Sequence, residues 1–389
     1  MVDLKAYPEL TVSELQAALD FATDQVRANL PDFTYACQSD ASKDLFYFQD
    51  DNVEWTTGFW PGEIWLSYER TGDPTFMYAG LILVQSFLDR IEEKIEVEHH
   101  DMGFLYSPSC VSAYMLTGDE YARSAALQAA DQLMGRWQEK GQFIQAWGPN
   151  NSPEHHRLII DCLLNLGLLY WASEESGDGR YADIAHRHIE TTIKYAIRED
   201  GSAYHTFYFD PETGEPVKGV THQGYKDDSS WARGQAWAVY GTAISYRYTG
   251  IEQYKEVFRK TLDYYLEKLP KNLVPYWDLI FSDGSDEPWD SSASAIVICG
   301  LLEMADLVDE DERKEYRTLA SKLMKALIDH CAVKDPEESN GLLKHGTYAK
   351  QSPYNPIKKN NGVDECVSFG DYFYFEALTR LNGNWDPYW

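Results

Sequence analysis

Runs of apolar residues alternate along the chain with short polar loops. Between residues 158 and 170 nearly every side chain is apolar, whereas residues 121–137, 181–197 and 254–269 carry one apolar stripe beside a polar face. A helix that is apolar on all sides is buried, and a helix with a single stripe keeps one face in water. The pattern therefore predicts buried inner helices that alternate with half-exposed outer helices.

A short turn recurs where one helix gives way to the next. In four copies a glycine ends the helix and an acidic residue follows closely, at Gly72, Gly118, Gly177 and Gly250. Glycine accepts the left-handed conformation that ends many helices, and acidic residues cap the start of the next helix. A fifth copy at residues 305–316 keeps the acidic cap but lacks the glycine. These turns predict tight helix-to-helix connections.

The predicted inner helices are entered at their other ends through polar or aromatic loops. These six loops lie at residues 50–55, 99–104, 155–161, 227–231, 289–293 and 364–369. Six inner helices alternating with outer helices predict an all-α fold, an (α/α)6 barrel, as a single domain over residues 1–389. An open, right-handed pile of helix pairs is the alternative. The closed barrel is favoured because helices that are apolar on all sides suit a closed inner ring.

Two segments depart from the helical pattern. Residues 202–210 alternate between apolar and polar, a Pro-Glu-Thr-Gly turn follows, and residues 217–223 return, which predicts a β-hairpin at the mouth of a pocket. Residues 341–362 are rich in Lys, Asn, Pro and Tyr. They predict a long loop, and long loops often carry function.

Charge and composition narrow the range of partners. The 389 residues carry a formal net charge of −29, and such a field repels nucleic acid and anionic membrane surfaces. We expect a cytoplasmic protein, because the start of the chain lacks a signal-peptide pattern and no apolar run has the length of a membrane span.

Six scattered cysteines without a C-x-x-C pair indicate reduced core residues. Phosphate-binding loops, dinucleotide fingerprints and a G-x-S-x-G elbow are absent, so no cofactor is expected.

Asp161 is the main candidate for acid–base chemistry. It stands near the start of the apolar run 158–170, where burial would raise the pKa of a carboxyl towards a catalytically useful value. A helix cap or an internal hydrogen bond is the structural alternative. Asp101 lies in the preceding polar loop, and two carboxylates beside a cleft are typical of glycoside hydrolysis. A metal site at His99 or His100 with Asp101 is disfavoured, because adjacent residues do not easily reach one ion.

Aromatic and polar side chains near these loops are candidates for substrate binding. Trp55 and Phe59 are spaced to share one helix face, as are Arg233 and Trp237. An exposed ring can stack on a sugar, and a guanidinium can bind a carboxylate. Core packing and a structural Arg–carboxylate pair are the alternatives. Three further candidates to line the pocket are Trp147, His205 and Gln223.

These residues fall into motifs that follow one another in a definite order. They are Trp55-Thr-Thr-Gly-Phe59-Trp60, His100-Asp101-Met-Gly-Phe104, Ile160-Asp161-Cys-Leu-Leu-Asn165, the pair His205 and Gln223, and Ser230-Trp231-Ala-Arg233-Gly-Gln-Ala-Trp237. Each motif is weak alone, but their order and separations together resemble the bacterial unsaturated glucuronyl hydrolases, glycoside hydrolase family 88. The resemblance extends from about Trp55 to residues 370–373.

The resemblance implies an (α/α)6 barrel that removes a 4,5-unsaturated uronic acid from short oligosaccharides left by polysaccharide lyases, such as unsaturated chondroitin or hyaluronan disaccharides. It implies that Asp161 is the general acid and base and that Asp101 is a second essential carboxylate. The residues implied to line the sugar site are Trp55, Phe59, Trp147, His205, Gln223, Arg233 and Trp237. For substituents on the neighbouring sugar, we expect Lys350, Ser352 and Lys358 in the long loop to be candidates.

Three other functions remain open from the sequence. An unsaturated rhamnogalacturonyl hydrolase of family 105 would share the barrel and the chemistry. A non-catalytic carbohydrate-binding barrel would keep Trp55 and Trp237 but would not need Asp161. A sugar epimerase of similar architecture would usually place paired histidines in its pocket.

Overall fold

Helices alternate between the axis and the outside of the molecule in a computed structural model that describes residues 7–150 and 152–389. In chain order they are α1 (Val12–Phe33), α2 (Phe59–Thr71), α3 (Pro74–Glu92), α4 (Met102–Tyr106), α5 (Ser112–Thr117), α6 (Glu120–Met134), α7 (Cys162–Ser176), α8 (Gly179–Ala196), α9 (Ala232–Thr249), α10 (Glu252–Lys268), α11 (Ser291–Ala305), α12 (Glu310–His330) and α13 (Ser368–Asn382). A π-helical turn at Ser107–Val111 joins α4 to α5.

The inner ring consists of α2, the α4–α5 segment, α7, α9, α11 and α13. Each of these packs against the next one along the chain, and α13 returns to pack against α2. The remaining helices, α1, α3, α6, α8, α10 and α12, pack on the outside of the ring. Every residue of α11 is buried, whereas α10 buries a single stripe. The closed ring confirms the predicted (α/α)6 barrel and excludes the open pile of helix pairs.

The predicted turn chemistry is present at one end of the barrel. Left-handed glycines end four inner helices, at Gly72, Gly118, Gly177 and Gly250. Three aspartates then cap the next helix by accepting a backbone N–H, namely Asp73, Asp119 and Asp178. Because these tight turns occupy one end, the longer loops that enter the inner helices gather at the other end and are available to build a site.

Short strands lie among those longer loops. They are β1 (Cys37–Gln38), β2 (Gln49–Asp50), β3 (Trp137–Gln138), β4 (Phe143–Ile144), β5 (Arg157–Ile159), β6 (Thr206–Phe209), β7 (Pro216–Val220), β8 (Gly346–Ala349) and β9 (Asn361–Glu365). The strands β5, β6 and β7 form one antiparallel sheet. The predicted hairpin is therefore present as β6 and β7, but it is shorter than expected and gains a third strand. The long loop at residues 341–362 is also partly ordered as a hairpin, because β8 pairs with β9.

The apolar run that begins at residue 158 is not helical from its start. Residues 157–159 form β5, and the backbone N–H of Ile160 donates to the carbonyl of His205 at 3.0 Å. Helix α7 begins only at Cys162, with Asp161 in the capping position. A short apolar run can be either a buried strand or a buried helix, and its periodicity does not separate the two. Here residues 157–159 form a strand because they pair with β6.

The first inner helix also begins later than its sequence suggests. Helix α2 starts at Phe59, so Trp55 lies in the turn that precedes it rather than on the same helix. The two rings still meet edge to face, with centroids 6.2 Å apart. Gly58 ends this turn at a close contact with the next inner segment, since a Cβ at this position would lie 2.3 Å from the carbonyl oxygen of Phe104. Only glycine lets the two inner segments approach so closely.

The six cysteines are buried and unpaired, as predicted. No helix in the described part of the chain combines the length and the apolar character needed to cross a bilayer.

Candidate active site

A cavity of about 380 Å³ opens at the barrel end that carries the long loops. Its lining includes Trp55, His99, His100, Asp101, Trp147, Ile159, Asp161, His205, His222, Gln223 and Tyr348. Both candidate catalytic aspartates are therefore exposed to one space, although 60 residues separate them in the chain.

Asp161 lines this cavity. It occupies the capping position of α7, yet its side chain makes no capping hydrogen bond. Among the described residues its Oδ1 has no hydrogen-bond partner, and Nε2 of His100 lies 3.3 Å from it. Burial and the charge of Asp101 raise the pKa of Asp161 well above its usual value. The predicted structural alternative of a helix cap does not account for this side chain.

Asp101 has the opposite electrostatic balance. Its Oδ2 lies 3.1 Å from Nδ1 of His99, and its Oδ1 lies 3.4 Å from Nε2 of His100. Burial raises the pKa of Asp101, but the two histidines and a hydrogen bond from Asn165 outweigh burial and lower it. Between the lowered pKa of Asp101 and the raised pKa of Asp161, Asp101 is therefore a carboxylate while Asp161 keeps its proton.

His100 stands between the two carboxyls. It is fully buried, and desolvation lowers its pKa to about 4. The ring is consequently neutral near pH 7, and a proton on Nε2 would face both aspartates. Pairs of titratable groups whose surroundings push their pKa values apart are typical of acid and base roles in catalysis.

Asn165 connects the two catalytic loops and was not singled out in the sequence as a site residue. Its Oδ1 accepts the backbone N–H of Phe104 at 2.8 Å, and its Nδ2 donates to the carbonyl of Asp161 at 3.3 Å. Its position one helical turn after Asp161 was the only feature in the sequence that could have indicated a role in the site. Asn165 thus ties α4, which follows Asp101, to α7, which follows Asp161.

Four of the predicted binding residues line the cavity, namely Trp55, Trp147, His205 and Gln223. The indole N–H of Trp55 donates to the hydroxyl of Tyr348 at 2.9 Å. The amide of Gln223 donates to the carbonyl of Tyr348 at 2.9 Å, and its Oε1 lies 3.3 Å from Nε2 of His205. Desolvation lowers the pKa of His205 well below its usual value, so the ring is neutral. These walls offer aromatic faces and neutral hydrogen-bonding groups, which suit a sugar.

The other three predicted binding residues do not line the cavity. Phe59 and Trp237 are fully buried in the aromatic core. Arg233 is also buried, and its NH1 donates to Asp290 at 2.6 Å and to the carbonyl of Thr347 at 2.8 Å. Its NH2 donates to the carbonyl of Tyr348 at 2.7 Å. The structural Arg–carboxylate pair is thus present, and direct binding of a uronate by Arg233 stays a prediction.

Two lining residues that the motifs did not single out are His222 and Tyr348. His222 immediately precedes Gln223, and its ring lies 5.7 Å from that of Trp147. Tyr348 lies on β8, within the long segment predicted as a loop. In the sequence, His222 is marked only by its position next to Gln223, and Tyr348 only as an aromatic residue in a long loop. Neither feature distinguishes a residue that lines a pocket from one on the surface.

Lys350, Ser352 and Lys358 do not themselves line the catalytic cavity, although Ala349 and Ile357, the neighbours of the two lysines, do. Lys350 pairs with Glu287 at 3.4 Å, and Lys358 is exposed. The hydroxyl of Ser352 donates to the carbonyl of Tyr225 at 2.5 Å, and it accepts two backbone N–H groups of its own turn. The segment between them instead borders a second, larger cavity of about 850 Å³, to which Pro353 to Pro356 contribute. This outer cavity shares Trp147 and His222 with the catalytic cavity.

A metal ion could in principle lie among His100, Asp101 and Asp161. In the described part of the chain, one ligand atom from each lies within 4.8 Å of the others. An ion bound there would have to displace the proton that the raised pKa of Asp161 favours. The arrangement suits proton transfer better than metal binding.

The sequence was also compared with known protein families. The Glycosyl Hydrolase Family 88 model matches residues 33–364. The chain belongs to Glycosyl Hydrolase Family 88. The resemblance drawn from the motifs is therefore confirmed, and the protein is a glycosidase.

Similar proteins of family 88 span nearly the whole chain. The unsaturated chondroitin disaccharide hydrolase of Streptococcus pyogenes serotype M1 is 48% identical over 98% of this chain and 94% of its own. The crystal structure of unsaturated glucuronyl hydrolase from Streptococcus agalactiae is 44% identical, with a TM-score of 0.95 over 100% of this chain and 97% of its own. An aspartate-to-asparagine mutant of that enzyme complexed with dGlcA-GalNAc6S is 40% identical, with a TM-score of 0.87 over 99% of this chain and 96% of its own.

Proposed function

We propose that this family 88 enzyme removes the 4,5-unsaturated uronic acid from glycosaminoglycan oligosaccharides, with Asp161 as general acid and base. The observation that carries the proposal is the pair of aspartates in one cavity, of which Asp161 has a raised pKa and Asp101 a lowered one. The first can deliver a proton near neutral pH, and the second can stabilise positive charge that develops in the sugar.

The proposed reaction is hydration of a vinyl ether rather than direct displacement at the anomeric carbon. The protonated carboxyl of Asp161 gives its proton to C4, and positive charge develops at C5 and the ring oxygen. As a carboxylate, Asp161 then takes a proton from a water molecule whose oxygen bonds to C5. This step restores the protonated carboxyl. The resulting hemiketal opens and releases the leaving sugar, so the net change is addition of one water molecule.

The substrate class follows from the relatives and agrees with the shape of the site. One relative is named for unsaturated chondroitin disaccharides, and another was crystallised with dGlcA-GalNAc6S. In this chain the catalytic cavity has a volume of about 380 Å³, and the outer cavity of about 850 Å³, which shares Trp147 with it, has space for the leaving sugar. Unsaturated chondroitin and hyaluronan disaccharides are therefore the substrates that we propose.

The decisive experiment follows the ultraviolet absorbance of the unsaturated uronate while the enzyme acts on these disaccharides. Loss of absorbance with release of the reducing sugar is expected. Asp161→Asn should lower kcat by about 10²–10⁴-fold, the usual contribution of a general acid and base, while substrate still binds. Asp183→Asn on the surface of α8 is the control and should behave like the wild type.

Other outcomes would redirect the proposal. Turnover of rhamnogalacturonan fragments alone would favour the family 105 activity. Substrate binding without any loss of absorbance would favour a carbohydrate-binding protein. Undiminished turnover by Asp161→Asn would remove Asp161 from the mechanism.

A further inference from the structure

The hydroxyl of Thr206 contacts a side chain of the catalytic cavity. Thr206 is the first residue of β6, where its backbone pairs with Ile159 and Val220. Its Oγ1 lies 2.6 Å from Nδ1 of His205, whose ring lines the cavity. Thr206 is 2% exposed, and among the described residues its hydroxyl has no other hydrogen-bond partner. The contact therefore joins a fixed point on the sheet to a ring in the site.

The amide of Gln223 faces its neighbours in one orientation. Its Nε2 donates to the carbonyl of Tyr348 at 2.9 Å. That carbonyl is itself held in place, because NH2 of Arg233 donates to it at 2.7 Å. Turning the amide of Gln223 by half a turn would set its oxygen against the carbonyl, so that two acceptors faced each other. Oε1 of Gln223 is therefore the atom that faces His205, at 3.3 Å from Nε2 of the ring.

This orientation decides which nitrogen of His205 carries a proton. Oε1 of Gln223 is an acceptor, so Nε2 of the ring must be the donor. Burial, the neighbouring His222 and two nearby arginines lower the pKa of His205 well below its usual value, so the ring is neutral and has a single proton. Nδ1 consequently carries no proton and needs a donor of its own.

The hydroxyl of Thr206 is that donor. A threonine hydroxyl can rotate to donate or to accept, but the unprotonated Nδ1 has nothing to donate to it. A buried ring nitrogen left without a donor would cost more free energy than the hydrogen bond contributes. Three hydrogen bonds then run in one direction, through Thr206, His205 and Gln223 to a backbone carbonyl. We call these three side chains the polar relay.

The polar relay orients two groups that a sugar can reach. His205 and Gln223 both line the catalytic cavity, and Oε1 of Gln223 has a second lone pair besides the one that accepts from His205. Rotation of the imidazole about its bond to Cβ would carry Nε2 away from Oε1 and leave both groups without a fixed orientation. The hydrogen bond to Nδ1 opposes that rotation. It begins at Thr206, whose backbone is held by strand pairing on both sides.

We propose that Thr206 is a positioning residue for the reaction: by donating to Nδ1 it holds the ring of His205, and through that ring the amide of Gln223, in the orientation that receives the sugar. Thr206 itself does not contact the substrate. The inference rests on the proposed function, because the polar relay affects turnover only if the unsaturated uronic acid binds in the catalytic cavity. The hydroxyl at position 206, rather than the size of the side chain, should therefore control substrate affinity.

Thr206→Val tests this, since valine keeps the shape of threonine and suits a strand but lacks the hydroxyl. With unsaturated chondroitin disaccharide as the substrate, kcat/KM should fall by about 3- to 10-fold, as expected for one hydrogen bond, and mainly through a raised KM. Thr206→Ala also lacks the hydroxyl and should show the same loss. Thr206→Ser should restore the wild-type KM, because serine keeps the donor.

Nuclear magnetic resonance of the substrate-free enzyme with isotope-labelled histidine gives a readout that a purely structural role would not move. The long-range proton–nitrogen correlations of His205 should have the pattern of the Nε2–H tautomer. The Nδ1 resonance should lie upfield of a free ring nitrogen, because Nδ1 accepts a hydrogen bond. Thr206→Val should keep the tautomer but move the Nδ1 resonance downfield, and Thr206→Ser should return it. The peaks that disappear in His205→Gln identify those of His205.

Thr192→Val is the matched control. The hydroxyl of Thr192 donates to the carbonyl of His188 at 2.9 Å and lies 3.4 Å from Nε2 of the same histidine. Both residues are buried, and neither lines the catalytic cavity or the outer cavity. The substitution thus removes a buried threonine–histidine contact of the same kind elsewhere in the protein. It should leave KM and the resonances of His205 unchanged.

Each outcome supports or overturns the inference. A raised KM with a downfield Nδ1 resonance in Thr206→Val, both reversed in Thr206→Ser, supports it. An Nδ1–H pattern in the wild type, an Nδ1 resonance that does not move, or an unchanged KM in Thr206→Val would overturn it, while wild-type turnover upholds the proposed function. An equal rise of KM in Thr192→Val, or loss of the fold in both Thr206→Val and Thr206→Ala, would make the role structural and overturn it too. If the wild type does not hydrate unsaturated disaccharides, the proposed function fails, and this inference fails with it.

Discussion

At the scale of single residues, the site depends on a neutral histidine between two carboxyls. If His100 were charged, it would stabilise both aspartates as anions and deprive Asp161 of its proton. Its complete burial prevents this, because desolvation lowers its pKa to about 4. The two aspartates then differ in their surroundings, so that one remains an acid while the other is a carboxylate.

The pH dependence of kcat/KM should follow from these shifts. Activity needs ionised Asp101, neutral His100 and protonated Asp161, so kcat/KM should rise as pH increases through the lowered pKa of Asp101 and the pKa of His100, about 4. It should fall as pH rises through the raised pKa of Asp161. In Asp101→Asn the pKa of Asp161 should be lower, because a like charge has been removed. The fall of the remaining activity on the basic side should therefore occur at a pH lower by on the order of one unit. Rates of this variant measured across pH at high enzyme concentration would show the shift. If activity fell at the same pH as in the wild type, the effect of the Asp101 charge on the pKa of Asp161 would be contradicted.

Arg233 allows a second prediction at this scale. Its guanidinium holds Asp290 and two backbone carbonyls in a buried cluster. Arg233→Ala should therefore reduce the free energy of unfolding by about 3–5 kcal/mol, since Asp290 would be left as an unpaired buried charge. Urea denaturation would measure the change.

A surface ion pair provides the control for that measurement. Arg180→Ala removes the exposed partner of Asp178 and should hardly alter stability. If Arg233→Ala kept wild-type stability and raised KM alone, the direct uronate-binding role predicted for Arg233 would be supported instead.

At the scale of elements, the position of Asp101 depends on how closely the loop before α2 approaches α4. Gly58 lies against the backbone of Phe104 and Leu105, with a Cβ position 2.3 Å and 2.4 Å from their carbonyl oxygens. Backbone atoms cannot rotate out of the way as a side chain can. Any side chain here must therefore displace the helix that follows Asp101.

Gly58→Ala should lower the melting temperature and kcat together. Overpacking of this kind costs about 1–3 kcal/mol, and the displaced α4 would misplace Asp101. Gly179→Ala is the matched control, because a Cβ there meets nothing within 4 Å. That variant should be stabilised by about 0.4–1 kcal/mol through reduced freedom of the unfolded chain. Thermal melts and initial rates of both variants would check the prediction, and equal behaviour would contradict it.

At the scale of the whole molecule, aromatic rings fill the axis of the barrel beneath the site. Trp389 stacks on Phe373 with centroids 5.6 Å apart and meets Phe104 edge to face at 6.1 Å. Its indole N–H donates to Glu376 at 2.8 Å, and its carbonyl accepts from Tyr248 at 3.0 Å. A residue far from Asp101 in the chain thus supports the helix that carries it.

Trp389→Ala should reduce the free energy of unfolding by about 3–5 kcal/mol, because it opens a cavity where inner helices meet. Trp389→Phe should lose less, since a ring remains but the hydrogen bond to Glu376 does not. Trp385→Ala is the comparison, as Trp385 is half-buried and bonds Glu69 near the surface. Denaturation curves would rank the three variants, and a larger loss in Trp385→Ala would contradict the supporting role of Trp389.

Local features of the sequence by themselves determined the helices, their order and their turns. Helical periodicity shows which face of a helix is buried, and glycine with an acidic cap ends one helix and begins the next within a few residues. Four such turns, a fifth copy without the glycine and six polar entry loops were enough to predict the barrel, and the carboxylates of two successive loops were enough to predict a shared site.

Only the tertiary structure decided how the remaining side chains are used, because their partners are distant in the chain. Arg157 donates a hydrogen bond to Tyr208, 51 residues away, and Arg233 donates one to Asp290, 57 residues away. The environment of His100 likewise exists only once α4 and α7 pack together. Burial and charge set each pKa, and both depend on which elements surround a group after folding. The sequence therefore predicted a set of candidate residues, whereas packing decided which of them face the cavity, which lie behind its wall and which other residues join them.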